Sequence, residues 1–124
     1  VGAFGLGGGE KNMIDQLIIF QKIYDLYLYT HRMVARFPKA QRFLLSNALL
    51  KTNMEMIRLT VIANSKPDRR AEQKKISVNL DLFRVYVRVA KDVGFLSIKK
   101  YGVVAEKINE IGRLLNAWMR VSRL

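Results

Sequence analysis

Side chains that could perform covalent, metal or acid–base chemistry are sparse in this 124-residue chain, and their spacing is poor. His31 is the single histidine and there is no cysteine. A zinc site needs three or four ligands at defined spacing, and an activated nucleophile needs a base beside it. His31 shares its segment with Tyr24, Tyr27 and Leu28 and reads as a structural residue at the edge of an apolar face. Glu106 and Glu110 stand four apart, which would place two carboxylates on one helix face for acid–base work or Mg²⁺. Lys99, Arg113 and Arg120 share that stripe, so surface ion pairing is the better reading. Gly5, Gly7, Gly8 and Gly9 are followed by Glu10 and Lys11. A phosphate loop would need a preceding strand and a Gly-Lys-Ser/Thr ending, so residues 1–12 read as a flexible glycine-rich tail. The expectation is a protein that is not an enzyme, with no catalytic residue, no cofactor and no metal.

Positive charge is the chemistry that remains. Twenty-two Lys and Arg face ten Asp and Glu, for a formal charge of +12, while half of the residues are hydrophobic. A disordered basic tail lacks apolar residues, so this composition predicts a folded core carrying charge on a fixed surface. Three groups stand out: Arg32, Arg36, Lys39 and Arg42; then Lys66, Arg69, Arg70, Lys74 and Lys75; then Arg84, Arg88 and Lys91. A solubility surface mixes both signs, and these groups contain few acids. Nucleic acid is therefore preferred as partner over an acidic protein or a membrane surface. The expected phosphate contacts are Arg36, Lys39, Arg42, Arg69, Arg70, Lys74, Arg84, Arg88 and Lys91, without a motif for strong base choice.

Long helices must position these groups. Pro38 and Pro67, the two prolines, fall between segments with helical apolar spacing and act as punctuation. The spacing predicts four helices in one domain over residues 13–124. The first runs from Met13 to Arg36, with Asn12 as N-cap and Asp15 completing a capping box. The second runs from Ala40 to Asn64, and Ser65, Lys66, Pro67 and Asp68 end it and cap the third. That third helix runs from Arg69 to Val93. Gly94 then serves as a left-handed cap, Phe95 packs back on the last turn, and Ser97 caps a fourth helix from Ile98 to Ser122. Four similar helices on short connections imply an all-α, antiparallel up-down four-helix bundle. Charges interrupt every long apolar stretch, so no membrane span is expected, and the lack of cysteine suits a reducing, cytoplasmic setting.

The apolar faces are wider than one bundle needs. On the third helix Lys74, Ser77, Asp81, Arg84, Arg88 and Lys91 occupy one narrow stripe, while Ile76, Val78, Leu80, Leu82, Phe83, Val85, Val87 and Val89 spread over the rest. A bundle helix needs an apolar stripe somewhat over 100° wide, so the surplus predicts a homo-oligomer.

Three stretches carry a family likeness: Arg36-Phe37-Pro38-Lys39 followed by Arg42-Phe43; Asp92-Val93-Gly94-Phe95-Leu96-Ser97 with Tyr101; and Glu110-Ile111-Gly112-Arg113 with Trp118. In order and spacing they resemble the accessory variability determinants of diversity-generating retroelements, within the wider group of four-helix proteins of ribosomal-RNA intervening sequences. The resemblance implies a ring-like homopentamer that binds RNA or DNA and associates with the element's reverse transcriptase. Such a protein is required for mutagenic retrohoming but does not polymerise. Ser46-Asn47-Ala48 departs from the family's Gly-x-basic pattern and lacks the basic contact there. The alternative is a four-helix interaction protein that binds RNA or acidic partners without a reverse transcriptase.

Overall fold

A computed structural model describes the backbone of residues 10–39 and 42–122, with side chains described over 16–39 and 43–122. Four helices account for nearly all of it: α1 (Glu10–Val34), α2 (Arg42–Asn64), α3 (Arg70–Asp92) and α4 (Ile98–Ser122). No strand occurs among the described residues, so the stretch Leu82–Val89 is helical despite its β-branched and aromatic content.

Helix boundaries obey local chemistry. At the end of α3, Gly94 has φ +88°, its N–H donates to Lys91 O at 3.0 Å, and the Phe95 N–H donates to Ala90 O at 2.8 Å. Those two bonds form the left-handed C-terminal cap that the glycine predicts. Ser97 Oγ accepts the Lys100 N–H at 3.1 Å and so caps α4. Phe95 packs on Phe37, with ring centroids 5.3 Å apart, so its ring is anchored against the opposite turn.

Other boundaries correct the expectation. The first helix begins at Glu10, so Asn12 lies within it and is not its N-cap. The side chains of Asn12 and Asp15 lie outside the described residues, as do residues 1–9 of the glycine-rich segment. That helix ends at Val34, two residues before Arg36. The N–H groups of Arg36 and Phe37 turn back to Met33 O and Val34 O, and Phe37 drops into the core at 2% exposure. Arg69, expected as the first residue of α3, is its N-cap and makes no side-chain cap bond. The Asp68 carboxylate supplies that role from one position earlier, accepting the Arg70 N–H at 3.1 Å.

Each helix packs on two neighbours: α2 on α1 and α3, and α4 on α1 and α3. Cross-links set the register. Gln73 donates to Ser122 Oγ at 2.8 Å, Arg84 reaches Asn109 and Lys91 lies over the Tyr101 ring, so rising numbers in α3 meet falling numbers in α4. This path divides the charged turns between the two ends of the bundle. The first and third turns share one end, joined by the Phe37–Phe95 contact. The second turn lies at the other, beside Gln16 and Ser122.

The core is led by Trp118, Phe83, Ile19, Ile23, Leu26, Leu49 and Met56, each with 1% exposure or less. A fully buried side chain of this kind stabilises the fold by about 1.5–3 kcal/mol. The α1–α2 seam is more polar than the rest. Asn53 is fully buried, donates to Ile23 O at 3.2 Å and has its Oδ1 3.3 Å from the Thr30 hydroxyl. Thr52, Thr60 and Thr30 turn their hydroxyls back to the carbonyls four residues earlier, which satisfies them without a partner helix.

Candidate nucleic-acid interface

The nine expected phosphate contacts fall into distinct environments. Arg69 is buried, at 4% exposure. The Gln16 amide lies 2.9 Å from Arg69 Nε and Nη2; a guanidinium only donates, which assigns the amide oxygen to Arg69 and its NH2 to Asn64 Oδ1, also at 2.9 Å. Burial pushes the Arg69 pKa below the ordinary guanidinium value. Its donors point into the junction of α1, α2 and α3, so Arg69 is a structural residue and not a phosphate contact.

Several others carry an acidic partner. Arg70 grips Asp68 through Nε and Nη2, both at 3.0 Å, which holds the Asp68 carboxyl at a pKa of about 2. Arg84 donates to Asp81 at 2.9 Å and lies 3.5 Å from Asn109 Oδ1, spanning the α3–α4 groove. Arg88 and Lys91 converge on Asp92, at 3.8 Å and 3.4 Å, and Lys91 also covers the Tyr101 ring. Lys66, one of the second-turn cations, is bound to the buried Glu72 at 2.8 Å, and this hydrogen bond is the main cause that holds the Glu72 carboxyl below its ordinary range. Arg70 and Arg88 remain over 70% exposed in their side chains and can still meet a polyanion, but their local field is reduced by the adjacent acid.

Arg36, Lys39 and Lys74 are exposed and form no ion pair among the described residues. The Arg42 side chain lies outside the described residues. At the end shared by the first and third turns, Arg32, Lys99 and Lys100 join Arg36 and Lys39, again with no ion pair among the described residues. Tyr29, Arg32, Met33, Arg36, Phe95, Leu96 and Lys100 line a pocket of about 230 Å³ at this end. Lys100 was not among the nine expected contacts. The signal that finds it is topological: in an up-down path the Ser97 cap must lie beside the Pro38 turn, which brings the start of α4 to the end of α1.

The remaining candidates resolve into surface interactions. Glu106 pairs with Arg113 at 3.3 Å and Glu110 with Lys22 at 3.4 Å. His31 is exposed, with its ring tilted against Tyr27 at 6.4 Å between centroids. No group of three or more metal-ligating side chains occurs among the described residues, and no described helix is long and apolar enough to cross a membrane.

The bAvd-like family profile matches residues 17–122, which is nearly the whole of the described chain. No curated protein and no solved structure matches the sequence.

Proposed function

Because this chain belongs to the bAvd-like family of accessory variability determinants, we propose that it is a non-catalytic, nucleic-acid-binding accessory protein of a diversity-generating retroelement. In this reading it works as a cytoplasmic, ring-like homopentamer of antiparallel up-down bundles. It engages template RNA or cDNA together with the element's reverse transcriptase during mutagenic retrohoming.

The observation that carries nucleic-acid binding is the set of exposed cations at the end formed by the first and third turns. Arg32, Arg36, Lys39, Lys99 and Lys100 are not offset by an ion-paired acid among the described residues, on a chain whose formal charge is +12. Phosphates attract such a set by releasing condensed counterions, a gain that shrinks as salt rises. The cross-links between α3 and α4 support the antiparallel path, and the exposed apolar residues on α3 support the assembly.

A titration of labelled single-stranded RNA and DNA across salt tests the binding. Neutralising three to five phosphates predicts an affinity loss of about 20- to 100-fold between 50 and 200 mM salt. A flat salt response, or no binding at low salt, overturns it. Co-purification with a reverse transcriptase encoded beside the gene tests the partner. Nucleic-acid binding without that association would leave a general RNA-binding four-helix protein in its place.

A further inference from the structure

The pocket between the first and third turns joins two kinds of lining that a plain phosphate-binding surface does not need. Arg32, Arg36 and Lys100 supply positive charge to its lining. Tyr29 and Phe95 supply aromatic faces, both half-buried. Each ring has a further contact that restrains it: Phe95 with buried Phe37, centroids 5.3 Å apart, and Tyr29 with the Lys107 ammonium 5.0 Å from its centroid. A ring fixed in this way loses little freedom when a planar group stacks on it.

Its volume decides what fits. At about 230 Å³ the pocket is smaller than the roughly 300–1,000 Å³ of sites for drug-sized ligands, and far too narrow for a duplex. One flat heterocycle with its sugar edge fits, while the adjoining phosphates stay at the rim. Bases in a duplex are stacked and paired and cannot enter, whereas bases of a single strand turn outward and stack on aromatic side chains.

We infer that this pocket captures a single unstacked nucleotide, so that the protein prefers single-stranded nucleic acid over duplex at this end of the bundle. The inference rests on the nucleic-acid-binding function proposed for the chain and adds the strand state and the residues that read it. Arg32, Arg36 and Lys100 take the flanking phosphates, and Tyr29 and Phe95 take the base. Stacking of this sort tolerates any base, which accords with the lack of a groove-reading motif.

The test measures affinity of the full chain for a 12-nucleotide single-stranded RNA and for an RNA duplex of the same length, both at one salt concentration. The wild type is expected to favour the single strand. Tyr29→Leu and Phe95→Leu are each expected to lower the ratio of single-strand to duplex affinity by about five- to tenfold. Arg36→Gln is expected to weaken both ligands and leave the ratio within about twofold. Both rings also pack on the core, so each variant is compared at wild-type helical circular dichroism, and if Phe95→Leu fails that check Tyr29→Leu carries the test. A wild type that binds neither RNA, nor a single-stranded DNA of the same length, overturns the nucleic-acid function itself. A wild type that binds, with a ratio that Tyr29→Leu does not move, overturns the pocket and leaves that function intact.

Discussion

Two cations adjacent to the second turn show how differently identical charges act. Lys66 donates to Glu72 from a half-exposed position, while the Glu72 side chain is only 7% exposed. Removing the ammonium leaves a carboxylate with little water, so Lys66→Met is expected to destabilise the fold by about 1–3 kcal/mol at pH 7, measured by urea denaturation. The sign with pH is fixed by Glu72, whose folded pKa is depressed. Stability from such a group is present above its unfolded pKa and is lost as pH falls through the folded one. The gap between variant and wild type should therefore narrow as pH falls from the ordinary carboxylate range through the lower folded pKa of Glu72, and a gap unchanged in acid would exclude the ion pair as its cause. Arg69 makes the complementary case. Arg69→Met strips the Gln16 oxygen of two donors in a buried junction and should cost about 1–3 kcal/mol, with nucleic-acid affinity within about twofold of wild type. A large loss of affinity in a variant that stays folded would return Arg69 to the interface.

The helix ends show what makes an element readable. Gly94 and Ser97 act through their own backbone and hydroxyl over three or four residues, so the sequence alone places both caps. Nothing lies within 4 Å of a Cβ added at Gly94, so Gly94→Ala meets no clash and isolates the cost of a left-handed φ. That cost is about 1–2 kcal/mol, expected as a lowered denaturation midpoint with the native helix content retained; a neutral result would show that the turn accepts another conformation. The start of α1 was less legible, because Asn12 and Asp15 form a plausible capping pair yet the helix extends past them to Glu10. The α1–α2 seam was less legible still. Asn53, Thr52 and Thr60 look like surface residues by type, and only the position of Ile23 O across the interface explains a buried amide at 53. Arg69 failed for the same reason: clustering in sequence counts charge, and burial is decided by which helix ends meet. The end-to-end pairing of the first and third turns, which brings Tyr29 and Phe95 to one pocket, likewise depends on the path of the whole chain.

At the scale of the molecule, α3 presents three sectors. Ile76, Leu80, Phe83, Val87 and Ala90 face the core, and Arg84, Arg88 and Lys91 carry charge. A third stripe of Val78, Leu82, Val85, Val89 and Val93 stays 40–55% exposed, within about 80° of the helix circumference. Charge and grease thus lie on separate flanks of one helix. Joining copies through the apolar flank would cover surface that monomers rarely expose while leaving the basic flank open to a polyanion. Five copies would gather a formal charge of about +60, a field that draws nucleic acid from beyond contact range and weakens steeply with salt. Val85, at 54% exposure and central in the stripe, is the position to challenge. Val85→Asp puts a charge where the proposed contact excludes water but where an isolated chain would solvate it. Light scattering should then fall from the mass of several chains to 14.3 kDa, with helical circular dichroism retained. A wild type already at 14.3 kDa would remove the ring, and an assembled Val85→Asp would move the interface off α3. Nucleic-acid affinity measured on the dissociated variant separates the two contributions of charge. A steep loss with the turn cations intact would show that the assembled field dominates, whereas a small one would locate binding within each bundle.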